Sequence, residues 1–252
     1  MLASLTNMAN TALTSVWTYL SHSPLLAISL TLCAYLMAMW IAGKFKFSPL
    51  ANPVVMAVAL VIIVLLFSEI SYADYFSAAQ PLHLMLGPVT VALAIPLARQ
   101  LPRLRRIAFP LGVGLVLGCV TAILSAVLIT IYLHGSQTLA LSIGPKSATT
   151  PIAMGIAEKI GGEPSIAAAI VILTGAFGAL IARYVFNWMG VSSPEIRGFA
   201  VGLAAHGIGT ARAFQVSQEL GTFAGLGMGL NGILTAVLAP ALVPVIVSYF
   251  FR

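Results

Sequence analysis

Long uncharged stretches dominate the hydrophobic pattern of this chain. Four of them contain no Asp, Glu, Lys or Arg, namely 24–43, 52–68, 107–145 and 222–251. A membrane-spanning helix needs about 20 predominantly apolar residues, so these stretches predict spans or pairs of spans. Three further apolar stretches are candidates, namely 84–100, 165–190 and 196–216. Residues 144–160 contain too many polar side chains for an ordinary span, and the pattern as a whole predicts seven or eight membrane elements.

Composition narrows the fold class. The chain is 60% hydrophobic and 7% charged, whereas a soluble domain carries about 25% charged residues. Most of this surface must therefore face lipid, where spanning structures are helices or closed barrels. A barrel would show segments of about ten residues that alternate apolar and polar side chains, but the apolar runs here are continuous. The sequence predicts an all-α, polytopic membrane bundle with interrupted helices.

The net charge of +6 is typical of a nucleic-acid-binding protein, but its placement favours a membrane explanation. Basic side chains lie at the ends of predicted spans, at Lys44, Lys46, Arg99, Arg103, Arg105 and Arg106. Cytoplasmic loops of membrane proteins are enriched in Lys and Arg. We therefore expect loops 44–51 and 99–106 in the cytoplasm and loop 69–83 outside, with no nucleic acid as partner. Arg183 and Arg197 oppose a simple alternation of sides, which leaves the side of the carboxyl terminus open.

A weak internal repeat organises the rest of the chain. Gly118, Gly175 and Gly232 are spaced 57 residues apart, and Thr90, Thr150 and Thr210 are spaced 60 residues apart. The repeat predicts an interrupted polar helix followed by a helix rich in small residues, over 84–133, 144–190 and 205–250. Coincidence is the alternative, because Gly, Ala and Thr are common in membrane helices. We expect a lead-in at 1–23 and one membrane domain from 24 to 252.

Helix-breaking residues mark three places where polar side chains enter apolar surroundings. The segments are Gly87-Pro-Val-Thr90, Gly144-Pro-Lys-Ser-Ala-Thr-Thr-Pro151 and His206-Gly-Ile-Gly-Thr-Ala-Arg212. Pro removes a backbone donor and Gly loosens the backbone around it. At membrane depth, irregular backbone is tolerated only where protein buries it or where it lines water. Paired broken helices in corresponding positions indicate a transporter site whose exposed N–H groups suit an anion.

All the candidate binding residues except Asn231 lie in these segments, and the main ones have structural alternatives. Lys146 could reach an interface with its long side chain, and His206 could be a hydrogen-bonded core histidine. Thr149, Thr150 and Thr210 could donate only to their own helices. Ionisable groups inside a membrane are costly, so by default they indicate function. The remaining candidates are Ser147, Thr90 and Asn231, and His206 is the candidate for proton coupling because its unperturbed pKa lies near neutrality.

Catalytic and metal-binding motifs are missing from the sequence. It contains no Gly-x-Ser-x-Gly, no His-Glu-x-x-His and no paired Cys ligands, and Cys33 and Cys119 lie in apolar runs as buried thiols do. The sequence therefore predicts no enzyme activity, no cofactor and no metal.

Several of these strings resemble the LrgB/CidB family. They are Leu86-Gly-Pro-Val-Thr-Val-Ala-Leu-Ala-Ile-Pro96, Pro145-Lys-Ser-Ala-Thr-Thr-Pro-Ile-Ala-Met154, His206-Gly-Ile-Gly-Thr-Ala211, Asn52-Pro53 and Thr174-Gly175. The resemblance runs over roughly residues 25 to 245. Pro-Lys-Ser-x-Thr-Thr-Pro is its most specific element.

The resemblance implies a protein of the bacterial inner membrane and two classes of function. Bacterial members are described as modulators of murein hydrolase export and autolysis beside a small holin-like LrgA/CidA partner. The plant relative resembles a plastid glycolate/glycerate translocator, and some bacterial systems handle pyruvate. One class is therefore a transporter of small carboxylates coupled to protons or another ion. The other is a holin-associated membrane assembly without a transport cycle, and a homo-oligomer is compatible with both.

Overall fold

The computed structural model describes residues 23–45, 53–85 and 101–251, together with single positions at 88, 92, 95 and 98. Three predictions fall outside these residues: most of the lead-in at 1–23, most of the candidate span at 84–100 with its Gly87-Pro88 interruption, and the site residue Thr90. The described chain is all-helical, as the sequence predicted. It divides into two compact units, Met1–Ala92 and Leu93–Arg252. The prediction of one membrane domain from 24 to 252 stays a prediction.

The first unit contains four described helices. They are α1 Pro24–Lys44, α2 Pro53–Ser68, α3 Tyr72–Ala78 and α4 Gln80–Leu84. α1 begins with a proline, whose missing backbone N–H costs nothing in the first turn of a helix. In its last turn, the Lys44 ammonium lies 3.7 Å from the centroid of the Trp40 ring. The hydroxyls of Thr31 and Tyr75 lie 2.7 Å apart and join α1 to α3.

The second unit contains six helices over 101–251. They are α5 Leu101–Tyr132, α6 Gln137–Ile143, α7 Thr150–Lys159, α8 Pro164–Trp188, α9 Pro194–Val216 and α10 Gln218–Phe250. Each of α6, α9 and α10 begins at a serine whose hydroxyl accepts a hydrogen bond from the backbone two or three residues on, the usual preference at this position. A buried cluster around Cys119, Val127, Leu141 and Val243 packs α5, α6 and α10 together.

The predicted number of membrane elements is not confirmed by the described helices. Four described helices are long and apolar enough to cross a membrane, and a fifth span is possible if α2 and α3, which meet at a bend of 119°, are one broken span. The predicted seven or eight elements are not confirmed. Most of the candidate span at 84–100 lies outside the described residues, and the apolar stretches 107–145 and 196–216 do not each fold as one straight span. The first continues past α5 into the short α6, and the second contains a sharp reversal.

The reversal lies within α9. His206 has φ 40° and ψ −131°, which is not helical, and separates a first segment at 194–205 from a second at 207–216. Gly198 in the first segment and Phe214 in the second both lie against the first turn of α10, at Leu220 and Gly221. The outer ends of both segments are therefore at the same place. We call this unit the α9 hairpin, and its tip is His206.

α6 and α7 form a second helical hairpin. Gly144 packs against Val243 near the end of α10, and Ser147 lies beside Asn231, about one third of the way along α10. The chain then returns, because the backbone N–H of Glu163 donates to the Ser142 hydroxyl at 2.8 Å. We call this unit the α6–α7 hairpin, and its tip is the non-helical break at 144–149. The two hairpins therefore approach Asn231 from opposite ends of α10.

Candidate functional site

The tip of the α6–α7 hairpin presents Lys146 and two kinds of hydroxyl. Its break follows from Gly144, Pro145 and Pro151, which interrupt helical hydrogen bonding. Lys146 is half-buried and its Nζ donates to the Ser147 Oγ at 3.3 Å. Thr149 occupies the position that caps α7, yet its hydroxyl makes no capping bond. The predicted interruption at 144–151 is thus found, with a cation and hydroxyls at its tip.

The tip of the α9 hairpin buries an imidazole. His206 is 3% exposed, and its Nε2 lies 2.8 Å from the carbonyl oxygen of Val171 on α8. A carbonyl only accepts hydrogen bonds, so Nε2 carries the proton. This is the bond expected of a core histidine, the alternative considered from the sequence. Because Nε2 is held by the Val171 carbonyl, only the other ring nitrogen, Nδ1, is left to gain or lose a proton.

Two glycines of α8 make room for this tip. A Cβ on Gly175 would lie 2.5 Å from the His206 Cε1 and 3.0 Å from the Ile208 Cβ, and a Cβ on Gly178 would lie 2.7 Å from the Ala205 Cβ. Carbon atoms cannot approach so closely. Gly175 and Gly178 therefore allow the tip of the α9 hairpin to pack closely against α8. Small residues have the same effect at other close helix contacts in membranes.

Asn231 joins the two tips. Its side chain is fully buried, and its Nδ2 donates to the Ser147 carbonyl and to the Leu203 carbonyl, both at 3.0 Å. One carbonyl belongs to each hairpin. Both partners are acceptors, so the amide can be oriented in only one way. Its Oδ1 is buried and has no hydrogen-bond partner among the described residues.

The structure therefore brings Lys146, Ser147, His206 and Asn231 into one region. Asn231 holds the Ser147 carbonyl, next to Lys146, and the Leu203 carbonyl, three residues before His206. Thr210 lies one turn beyond His206, and its hydroxyl donates to the His206 carbonyl at 2.7 Å. That bond is the within-helix role considered as its alternative. The Thr149 and Thr150 side chains lie half-buried at the start of α7, with no hydrogen bond to the other candidates among the described residues.

The sequence did not reveal the hydrogen-bond partners of the candidate residues, which are backbone carbonyls and the side chain of Met228. The carbonyls of Val171 and Leu203 bind His206 and Asn231, and carbonyls leave no mark in a sequence. Met228 is a further neighbour, with its sulfur 3.8 Å from the Thr210 hydroxyl. The 57-residue spacing of Gly118, Gly175 and Gly232 was an available signal, because each glycine packs against one of the two hairpins.

Relatives of known sequence align with nearly the whole chain. The uncharacterized protein YwbG of Bacillus subtilis is 35% identical over 218 residues, covering 86% of this chain and 96% of that protein. An uncharacterized protein of Haemophilus influenzae is 31% identical over 222 residues, covering 88% and 95%. The holin-like protein CidB of Staphylococcus epidermidis is 29% identical over 227 residues, covering 90% and 96%. No solved structure gives a significant match.

The model of the LrgB-like family matches residues 31–245. This range takes in α1 from its second turn, both hairpins and all but the last turn of α10. With four to five candidate spans and this family match, the chain is a multi-pass membrane protein that belongs to the LrgB-like family.

Proposed function

We propose that this protein carries a small carboxylate across the bacterial inner membrane through the site between its two hairpin tips. The observation that carries the proposal is the binding of both hairpin tips by the buried Asn231 amide, through the Ser147 carbonyl next to Lys146 and the Leu203 carbonyl three residues before His206. Burying a charged or polar group in a membrane bundle is costly. Such groups at interrupted helices are typical of transporter sites.

The chemistry of the tips fits an anion. Lys146 supplies the only ammonium within the described part of the α6–α7 tip, and a carboxylate could replace Ser147 as its partner. The amino end of α7, where Thr149 makes no side-chain cap, also offers backbone N–H groups and hydroxyls, and such groups bind small anions. Thr149 and Thr150 would contact a hydroxyl or keto oxygen of the same ligand. His206 would carry the proton if transport is coupled to protons, and no chemical reaction of the ligand is proposed.

A second function is favoured by the relatives' names. CidB of Staphylococcus epidermidis and of Staphylococcus aureus are both named holin-like proteins. By that likeness, this chain would act in autolysis and murein hydrolase export beside a small holin-like membrane protein, without a transport cycle of its own. The names support this function more directly than they support carboxylate transport, whereas the buried polar site supports transport.

Uptake of labelled glycolate or pyruvate into proteoliposomes tests the first function. Lys146→Ala should weaken uptake about ten- to a hundredfold, because a charge-assisted hydrogen bond is lost. Lys159→Ala is the matched control, since it removes the same charge from the exposed end of α7 and should leave uptake near the wild-type rate.

The two functions give different outcomes. If correctly inserted wild-type protein takes up neither acid, yet its expression with a small holin-like partner alters autolysis, the second function is right. If Lys146→Ala and His206→Ala proteins insert normally and transport at the wild-type rate, the site is wrong.

A further inference from the structure

The junction between α2 and α3 is a sharp bend of 119°, and each helix has its own end there. Glu69, directly after α2, has φ 56°, a left-handed conformation that commonly ends helices. α3 begins after Ser71, whose hydroxyl accepts from the Asp74 backbone N–H at 3.1 Å and donates to the Asp74 carboxylate at 2.6 Å. The bend is therefore a helix stop followed by a new helix start, and α3 does not continue the direction of α2.

α3 has one face held by the protein and one face left open. On the first face, Ala78 is buried and the Tyr75 hydroxyl lies 2.7 Å from the Thr31 hydroxyl of α1. On the other face, Tyr72 is 70% exposed and Phe76 is 41% exposed, and the centroids of their stacked rings are 5.8 Å apart. Residues four apart lie side by side on a helix, so these two rings form one outward aromatic surface.

The lengths of α1 and α2 give the depth of α3 in the bilayer. α2 has 16 residues and is therefore about 24 Å long. With loop 44–51 in the cytoplasm, α2 ends roughly 5 Å below the outer edge of a hydrocarbon core that is about 30 Å thick. Thr31 lies about two turns, or about 10 Å, below the outer end of α1, and Tyr75 reaches it from α3. Both helices therefore place α3 near the outer boundary between head groups and acyl chains.

We propose that α3 lies in the plane of the outer membrane interface and that its Tyr72–Phe76 surface binds phospholipids of the outer leaflet. Interfacial helices bury their apolar face about 5–10 Å into this boundary, and tyrosine is enriched there because its ring is apolar and its hydroxyl is polar. The charges fit the same level, since Glu69 and Asp74 are the only Asp, Glu, Lys or Arg residues between 53 and 98. A re-entrant α3 would carry the Asp74 carboxylate toward the hydrocarbon centre, where charge is costly. This lipid surface is independent of the proposed transport function.

Quenching of tryptophan fluorescence by nitroxide-labelled lipid tests the depth of α3. The full chain carries Phe76→Trp in a background of Trp17→Phe, Trp40→Phe and Trp188→Phe, and is reconstituted into phosphatidylcholine vesicles. The nitroxide is placed on the head group, near the top of the acyl chain or near its end. The label near the top of the chain should quench position 76 about twofold more than the label near the end, because an interfacial helix lies within about 10 Å of the head groups.

Leu36→Trp in the same background is the matched control. Leu36 is 66% exposed and lies near the middle of α1, so the label near the end of the acyl chain should quench it most. The control shows that the labels distinguish the membrane centre from its surface in this protein.

Three results would overturn the proposal. Strongest quenching of position 76 by the deepest label would place α3 inside the hydrocarbon core, as part of a broken or re-entrant span. Quenching by aqueous iodide but by no lipid label would place the aromatic surface in water, and quenching by neither would show that protein covers it. If the tryptophan-free chain does not fold, a nitroxide on Phe76→Cys in a Cys33→Ser background gives the same depth from its collisions with oxygen and with a water-soluble nickel complex.

Discussion

At the scale of single residues, the sequence identified side chains but not their partners. Lys146 and His206 stand out because charged and titratable groups are rare in this chain. The break at Lys146 was predictable from the surrounding Gly and Pro, since these residues disrupt helices in any context. The Val171 carbonyl that binds His206 could not be predicted. It became available only through a contact between α8 and α9 that depends on tertiary packing.

Backbone strain at His206 gives the first prediction. Its φ of 40° is a conformation that glycine adopts far more readily than other residues, and such residues cost about 1–3 kcal/mol. His206→Gly and His206→Ala both lose the bond to Val171, but only the glycine variant relieves the backbone. We expect His206→Gly to be more stable than His206→Ala by about 1 kcal/mol, measured as thermal unfolding in detergent. Equal unfolding temperatures would show that the tip is not strained.

Gly175 gives the second prediction. An added methyl group would meet the His206 ring at 2.5 Å, and overpacking of this kind costs about 1–3 kcal/mol. Gly175→Ala should therefore lower the unfolding temperature and impair transport together. Gly155→Ala on α7 is the control, because a Cβ there has no neighbour within 4 Å among the described residues. If the two variants unfold alike, α8 does not hold the His206 tip as described.

At the scale of helices, the length of an apolar stretch did not reveal how residues 196–216 fold. Residues 196–216 have the length of a span, and their polar segment predicted an interruption at 206–210. The interruption is present, but it reverses the chain rather than merely bending it. Whether a break bends or reverses a helix depends on which surface each half can pack against. Here both segments of the α9 hairpin pack against α10, a contact that no local pattern specifies.

The α9 hairpin and α10 approach closely enough for a third prediction. A Cβ on Gly202 would lie in the space of the Ala224 carbonyl oxygen, and this obstacle is backbone that cannot rotate away. Gly202→Ala should prevent the hairpin from packing, seen as loss of monodisperse protein after detergent extraction. Gly229→Ala, with no neighbour within 4 Å among the described residues, should extract like wild type. Normal behaviour of Gly202→Ala would contradict the close contact.

At the scale of the whole molecule, the second unit resolves the charge pattern that the sequence left open. Four residues separate the end of α5 from the start of α6, and the end of α6 packs beside Val243, so α5 and α10 end on the same side. The Arg197 guanidinium donates to the Asn187 side chain at 2.7 Å and so joins the end of α8 to the start of α9. The start of α9 in turn packs against the start of α10. Arg105, Arg183 and Arg197 therefore share one side. The conflict expected from the sequence is absent because the stretch 107–145 contributes one long span, α5, and not a pair of spans.

This arrangement gives the fourth prediction, a topology for the carboxyl-terminal half. The positive-inside tendency places Arg105 and Arg197 in the cytoplasm and the carboxyl terminus outside. In a background that lacks the exposed Cys33, a cysteine introduced at 251 should react with a membrane-impermeant maleimide in intact cells. Cysteines at 105 and 197 should react only after the membrane is opened. Labelling of position 197 from outside would contradict the two-hairpin arrangement.

The α9 hairpin also constrains how the protein is made. α9 is not among the described helices that are apolar and long enough to cross a membrane alone, and its two segments obtain their contacts from α8 and α10. α10 is synthesised after α9, so the hairpin lacks half of its binding surface while it leaves the ribosome. We therefore expect the hairpin to enter the bilayer late, once α10 has been inserted, so that the site between the two tips is assembled in the final step of biogenesis.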